Sequence, residues 1–230
     1  MWSSLARKMG IEQNQTSHVE RLIAGLSTCL AIATVALLTQ WSLSDNTHLL
    51  FFASSAASAF LVFALPHGPL SQPWPVMVGQ LLAMLIGVLA GTLLGSEIIV
   101  AALAVGVTVL LMHYLRCLHP PGAATAFFFV TDIEHIPLQE TCFAFLLNIC
   151  VIVLLALVVN NAFSWRRYPS SSLPQQKGPF QDGDNLALED LQFALQQHDV
   201  FIDISVEELK ALYDTAQQQK HCKQYNKALC

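Results

Sequence analysis

A helix-breaking run of small residues interrupts an otherwise strongly apolar stretch of this chain. Two prolines and a glycine remove backbone groups from the helical ladder, and each unpaired polar group costs several kcal/mol in hydrocarbon. Broken backbone at membrane depth survives only where protein buries it or where it lines a polar cavity. We therefore expect the working part of the molecule at His119-Pro120-Pro121-Gly122-Ala123-Ala124-Thr125-Ala126.

The distribution of charge divides the chain into an apolar part and a polar tail. The 230 residues are 54% hydrophobic and only 12% charged, unlike a soluble globular domain. Asp45 and Glu97 are the only formal charges from Leu22 to Leu115, whereas residues 170–230 carry nine acids and five lysines. The predicted domains are a cytoplasmic N-terminal segment at 1–21, a transmembrane domain at 22–165, and a cytoplasmic linker with a helical hairpin at 166–230.

Apolar segments near membrane-spanning length recur along the transmembrane domain. A helix needs about 20 apolar residues to cross a hydrocarbon core of ~30 Å. The segment Pro120–Val130 would be only about 17 Å long as a helix, so we expect a half-helix completed by non-helical backbone, or a re-entrant hairpin. The predicted segments are Leu22–Thr39, Leu49–Leu65, Val76–Gly95, Ile98–Leu115, Pro120–Val130 and Thr141–Val159.

Basic residues indicate how many times the chain crosses the membrane. Six crossings put every flanking basic residue on one side, as the positive-inside rule expects, whereas five crossings would turn the last two outward. We therefore predict six crossings in the cell (inner) membrane, with both termini cytoplasmic. The flanking basic residues are Arg7, Lys8, Arg21, Arg116, Arg166 and Arg167.

A weak internal similarity predicts two related units of three segments each. Ser58-Ala59-Phe60 matches Thr125-Ala126-Phe127 at an offset of 67, and Pro69-Leu70 matches Pro137-Leu138 at an offset of 68. Two units with an odd number of crossings have opposite orientations, which makes an inverted repeat. Chance similarity between small-residue segments is the alternative.

Glycines in the third segment predict close packing against a neighbouring helix. Gly87, Gly91 and Gly95 recur every fourth residue. This spacing puts them on one helix face, where small residues let two backbones approach.

The transmembrane domain lacks the side chains that an enzyme needs. No carboxylate or lysine lies within a predicted segment, and His113 and His119 fall on different faces of a helix. In the tail, His221, Cys222 and Cys230 lack the second ligand pair that is usual in zinc sites. We expect no enzymatic activity, no metal, no cofactor and no nucleic-acid partner.

Hydroxyl groups and backbone amides remain to recognise a solute. The N-terminus of a half-helix presents unpaired N–H groups and about half a positive charge, so two such ends aimed at one point favour a small monovalent anion. The alternatives are that the small residues only allow helix contact, and that His119 donates to a freed carbonyl rather than gating by pH. The predicted substrate-binding residues are Ser54, Ser55, Ser58, His119, Pro120, Pro121, Gly122, Ala123 and Thr125.

Residues 118–126, with the sequence LHPPGAATA, resemble the defining motif of the HPP family of integral membrane proteins. The agreement extends to 54–60, to 69–73, and to Asn160-Asn161 followed by Arg167-Tyr168-Pro169. Plant chloroplast and cyanobacterial members are linked to nitrite transport, so the resemblance implies passage of a small monovalent anion. The residues to which the resemblance assigns the role of the family motif are His119, Pro120, Pro121, Gly122 and Thr125.

The chain departs from its relatives in two places. The run Ser54-Ser55-Ala56-Ala57-Ser58-Ala59 stands where many of them have Phe-Gly-Ala-Ser-Ala, so the first half-helix could begin differently. Many bacterial relatives also continue into CBS domains, and the tail here resembles only the helical segment that precedes them.

These observations predict an all-α polytopic membrane protein with about six transmembrane segments, two of them short and broken, and a short helical cytoplasmic tail. The expected function is transport of a small monovalent anion, with nitrite as the leading substrate and nitrate, formate-like anions or halides open. The alternative is a membrane sensor or scaffold whose tail helices bind a partner protein. The expected partners are an inorganic anion and the lipid bilayer, and a homo-oligomer is left open.

Overall fold

The computed structural model describes residues 16–42 and 49–170, together with Tyr213. Within these residues every regular element is helical, which confirms the all-α prediction there. The predicted tail helices and the His221, Cys222 and Cys230 group lie outside the described residues. The α-helices are α1 His18–Ser42, α2 Leu49–Ala64, α3 Pro73–Leu94, α4 Ile98–Tyr114, α5 Pro121–Thr131 and α6 Leu138–Asn161, with a 3-10 turn at Pro69–Ser71.

Proline and glycine set the ends of the helices beside the site. Pro73 and Pro121 are the first residues of α3 and α5, where a missing N–H group breaks no helical hydrogen bond. Gly95 ends α3 with a φ of 100°, a conformation that favours glycine. Gly95 therefore closes the helix rather than extending the packing face predicted for it.

The helices fall into a long and a short group. α1, α3 and α6 are long and apolar enough to cross a membrane. α5 has 11 residues and rises about 17 Å, as expected for a half-helix. The helix α4 is shorter than the span predicted for it. Its 17 residues reach about 26 Å, so it belongs with α2 and α5 among the shorter helices.

The contacts between helices show a two-fold correspondence. Each contact has a counterpart when α1, α2 and α3 are replaced by α4, α5 and α6, and the reverse. α1 packs on α2 as α4 packs on α5, and α3 packs on α4 as α6 packs on α1. Likewise α3 packs on α5 and α6 packs on α2, while α2 contacts α5 and α3 contacts α6. This pattern agrees with two related three-helix units.

An aromatic core holds α2 and α5 beside each other. Phe63 of α2, Phe129 of α5 and Phe145 of α6 are buried in one cluster. The rings of Phe129 and Phe145 meet edge to face, with centroids 5.5 Å apart. Large apolar side chains such as Leu93 and Val158 point outward instead, as expected for a surface that lipid covers.

The segment that follows α6 packs against the helices. Arg166 and Tyr168 are fully buried. Arg166 Nη2 donates to the Phe63 carbonyl oxygen of α2, and the Tyr168 hydroxyl donates to the Ser71 carbonyl oxygen at 2.8 Å.

Candidate functional site

Small residues bring the backbones of α3 and α5 into close approach. A Cβ atom at Gly79 would lie 2.7 Å from the Cys117 carbonyl oxygen, and one at Gly87 would lie 2.7 Å from the Ala126 carbonyl oxygen. Gly91 meets the Phe129 carbonyl oxygen in the same way, at 3.0 Å. Only glycine fits these positions without movement of the neighbouring backbone. Because of this close approach, the side chain of Gln80, the residue after Gly79, reaches both α2 and α5.

Gln80 of α3 lies at the centre of a buried hydrogen-bond network. Its Nε2 donates to Ser54 Oγ at 3.1 Å and to Ser58 Oγ at 2.8 Å, both on α2. Its Oε1 accepts from Thr125 Oγ1 of α5 at 2.6 Å. One amide group thus joins α2, α3 and α5.

Ser54 and Thr125 also contact each other directly. Their hydroxyl oxygens are 2.6 Å apart, and Ser54 Oγ donates to the Pro121 carbonyl oxygen at 3.0 Å. These two residues come from the segments that the sequence repeat relates. The pairing therefore joins the two three-helix units.

His119 connects this network to the turn before α3. Its Nδ1 lies 3.0 Å from the Leu70 carbonyl oxygen, and its Nε2 lies 2.9 Å from Ser58 Oγ. Because a carbonyl oxygen only accepts, Nδ1 carries the proton of the neutral ring and Nε2 accepts from Ser58. We call Ser54, Ser58, Gln80, His119 and Thr125 the Gln80 network.

The Gln80 network is buried, neutral and internally satisfied. Each of its five side chains is no more than 2% exposed. One assignment of protons gives every donor an acceptor: Gln80 to both serines, Ser58 to His119, His119 to Leu70, Thr125 to Gln80, and Ser54 shared between Thr125 and Pro121. In this arrangement no proton of the network points toward an additional acceptor.

The structure brings together four of the predicted site residues as side chains: Ser54, Ser58, His119 and Thr125. Pro121 contributes its carbonyl oxygen. Ser54 and Ser58 lie within α2 rather than at its first turn, since the helix already begins at Leu49.

The remaining predicted residues lie around the network but are not part of it. Ser55 is buried on α2, Pro120 is exposed and Ala123 is half-buried. Gly122 faces other helices: a Cβ atom there would meet Met112 at 2.5 Å and Ala83 at 3.3 Å. Gly122 therefore serves packing between α3, α4 and α5.

The first N–H groups of α5 are used locally. Pro121 has none, Gly122 N–H donates to the His119 carbonyl oxygen at 2.9 Å, and Ala123 N–H donates to the Pro120 carbonyl oxygen at 3.0 Å. The donors concentrated at this place are consequently hydroxyl and amide side chains rather than the backbone amides expected from the helix dipole.

A second polar group, the Arg166 cluster, consists of the buried residues Glu20, Asn160 and Arg166 together with the exposed Trp165. Arg166 Nη1 donates to Glu20 Oε1, and Nη2 donates to the Phe63 carbonyl oxygen at 2.5 Å and to Asn160 Oδ1 at 3.0 Å. Trp165 Nε1 donates to the other Glu20 oxygen at 3.1 Å. Burial lowers the pKa of the Arg166 guanidinium, and the charge of Glu20 opposes that shift. The cluster ties the start of α1 to the end of α2 and the segment after α6.

Long apolar helices, a short helix that begins at a proline, and a buried polar network define a multi-pass helical membrane protein. The chain belongs to the HPP transmembrane family, whose transmembrane region matches residues 13–169. The motif residues His119 and Thr125 thus lie in the family region and in the Gln80 network.

Two curated relatives are transmembrane proteins of Dictyostelium discoideum. One is 32% identical over 151 residues, covering 63% of this chain and 53% of its own length. The other is 30% identical over 157 residues, covering 63% of this chain and 48% of its own length. The chain therefore spans about half the length of these relatives. No solved structure matches it.

Proposed function

We propose that this protein moves a small monovalent anion across the membrane through the position now occupied by the Gln80 network, with nitrite as the leading substrate. The observation that carries the proposal is a buried group of neutral hydrogen-bonding side chains shared by α2, α3 and α5. Polar groups inside a membrane domain are costly, and an ionisable residue such as His119 there marks a functional site by default.

The chemistry of the network suits one negative charge. The hydroxyl groups of Ser54, Ser58 and Thr125 can donate to an anion, and no carboxylate of the network would repel it. No permanent cation belongs to the network either, so a divalent anion would lack the charge that offsets its desolvation. Nitrate, formate-like anions and halides fit the same chemistry.

The proposal extends to cellular setting and excludes catalysis. We place the protein in the cell (inner) membrane with both termini in the cytoplasm, because the basic residues that flank the helices then lie inside. We assign it no enzymatic step and no cofactor. The small anion and the bilayer are its proposed partners.

A membrane sensor or scaffold is the second candidate. The complete internal pairing of the Gln80 network favours it, because a static structural core needs no spare donors. Such a protein would bind a partner and carry no flux.

Anion uptake by vesicles that contain the purified full-length chain tests the proposal. Wild-type vesicles should take up nitrite faster than protein-free vesicles, and Thr125→Val should slow uptake because it removes a hydroxyl of the network. Thr108→Val is the matched control, since among the described residues the buried Thr108 hydroxyl bonds only the Ala104 carbonyl oxygen of its own helix. Absence of uptake of nitrite, nitrate, formate and chloride by the wild-type protein would favour the scaffold.

A further inference from the structure

The observed network has no proton to offer an anion, so binding requires one of its members to leave. Three hydroxyl groups surround the Gln80 amide, at 3.1 Å for Ser54, 2.8 Å for Ser58 and 2.6 Å for Thr125. The amide is therefore the part of the network that stands where the hydroxyl groups converge.

We propose that the Gln80 amide is a displaceable internal ligand, which occupies the anion position and withdraws when the anion binds. This inference rests on the proposed transport function and adds to it a specific gate residue. Gln80 is suited to the role because its head group is neutral and planar, and because it is carried on a flexible stem from the adjacent helix.

Withdrawal of the amide changes the direction of the remaining hydrogen bonds. Thr125 loses its acceptor on Gln80, so its hydroxyl proton becomes available to the anion. Ser54 and Ser58 lose the donors that approach their oxygens. Each donates to the anion when its hydroxyl rotates away from its present acceptor, which is Pro121 or Thr125 for Ser54 and His119 Nε2 for Ser58. The same three side chains thereby change from partners of an amide to partners of an anion.

Competition by the amide predicts a measurable penalty on affinity. The apparent Kd equals the intrinsic Kd divided by the fraction of molecules whose site is open. If the amide occupies the position about nine-tenths of the time, its removal tightens binding about ten-fold. A side chain that instead served as a ligand for the anion would show the opposite change.

Titration calorimetry with sodium nitrite on the detergent-purified full-length protein distinguishes these cases. Gln80→Ala removes the amide, and Gln80→Met removes its hydrogen bonds while keeping the length and approximate volume of the side chain. Both variants should bind nitrite more tightly, Gln80→Ala by about ten-fold. If Gln80→Ala does not fold, Gln80→Met decides the question.

Asn148→Ala is the matched control. Asn148 follows Gln80 by 68 residues, the separation that also relates Pro69 and Pro137. Its buried amide donates to Thr39 Oγ1 at 2.8 Å, outside the Gln80 network. Loss of this amide should leave the Kd for nitrite unchanged, and equal tightening in Asn148→Ala would overturn the assignment to Gln80.

The outcomes separate this inference from the function on which it rests. Weaker or unchanged nitrite binding by both Gln80 variants, with binding and uptake intact in the wild type, overturns the displaceable ligand alone. Absence of binding and uptake in the wild type and in every variant overturns the transport proposal together with it.

Discussion

The Gln80 network and the Arg166 cluster are both buried polar groups, but they differ in charge. The cluster pairs a full carboxylate with a guanidinium, whereas the network contains only hydroxyls, an amide and an imidazole. Breaking a buried ion pair leaves an uncompensated charge, which is far more costly than exchanging one neutral hydrogen bond for another. The cluster is therefore suited to holding chain segments permanently, and the network is suited to exchanging partners with a solute.

Loss of Arg166 tests the structural side of this comparison and should have the largest effect. Arg166→Ala removes the guanidinium that pairs with the buried Glu20 carboxylate, and we expect a loss of about 3–5 kcal/mol in the free energy of unfolding. Denaturant unfolding of the purified protein in detergent measures it. Arg167→Ala is the control, because Arg167 is exposed and should change stability little. Equal losses of stability in the two variants would show that the Arg166 cluster does not stabilise the fold.

Adding a side chain between α3 and α5 tests whether the network depends on their close approach. Gly87→Ala puts a Cβ atom 2.7 Å from a backbone oxygen, so we expect a loss of about 1–3 kcal/mol as the helices separate. Thermal unfolding is the measurement. Gly106→Ala on α4 meets nothing within 4 Å and should be tolerated. Similar stability of the two variants would rule out the close approach.

The pairing of Ser54 with Thr125 tests whether neutral bonds in the network are individually weak. A double-mutant cycle of Ser54→Ala and Thr125→Val should give a coupling of about 0.6 kcal/mol, the average for hydrogen bonds between membrane helices. The free energies of unfolding of the wild type, the two single variants and the double variant, measured in detergent, give this coupling. A coupling as large as that of a buried ion pair would remove the contrast between network and cluster.

Replacement of His67, which lies beside the Arg166 cluster, should have the smallest effect on stability. Burial lowers the pKa of His67, the backbone of Arg167 opposes the shift, and the charge of Arg166 adds to it. A lowered pKa in the folded state favours the neutral ring, so its contribution to stability is present above pH ~6.5 and is lost as pH falls below that value.

Replacement of this histidine should flatten the pH dependence. Melting temperature measured from pH 8 to pH 5 should fall less in His67→Gln than in the wild type. A wild-type profile in His67→Gln would show that another group titrates.

Much of the site could be predicted from local sequence patterns. The helix α5 begins at Pro121, one residue after the predicted start, because a proline at the first helical position breaks no helical hydrogen bond. The similarity between Ser58 and Thr125 segments anticipated that α2 and α5 lie side by side, because related units in a repeat meet at corresponding elements.

The central residue of the network could not be predicted in the same way. Gln80 is a single amide in an apolar helix, and its partners come from segments that are distant in the sequence. The signal that was available is its place next to Gly79, on the face that packs closely. Arg166 was counted as a flanking basic residue at the start of the tail, because counting charges does not reveal that Glu20, at the other end of the domain, pairs with it.

Nitrite uptake per folded molecule, measured side by side for Thr125→Val and Arg166→Lys, tests most directly whether the network rather than the cluster is the path of the anion. We predict that Thr125→Val lowers the rate about ten-fold, since it removes a hydrogen bond offered to the solute. Arg166→Lys should lower stability but stay within about two-fold of the wild-type rate, because the two groups act independently. Equal loss of uptake in both variants, or full uptake in Thr125→Val, would contradict this account.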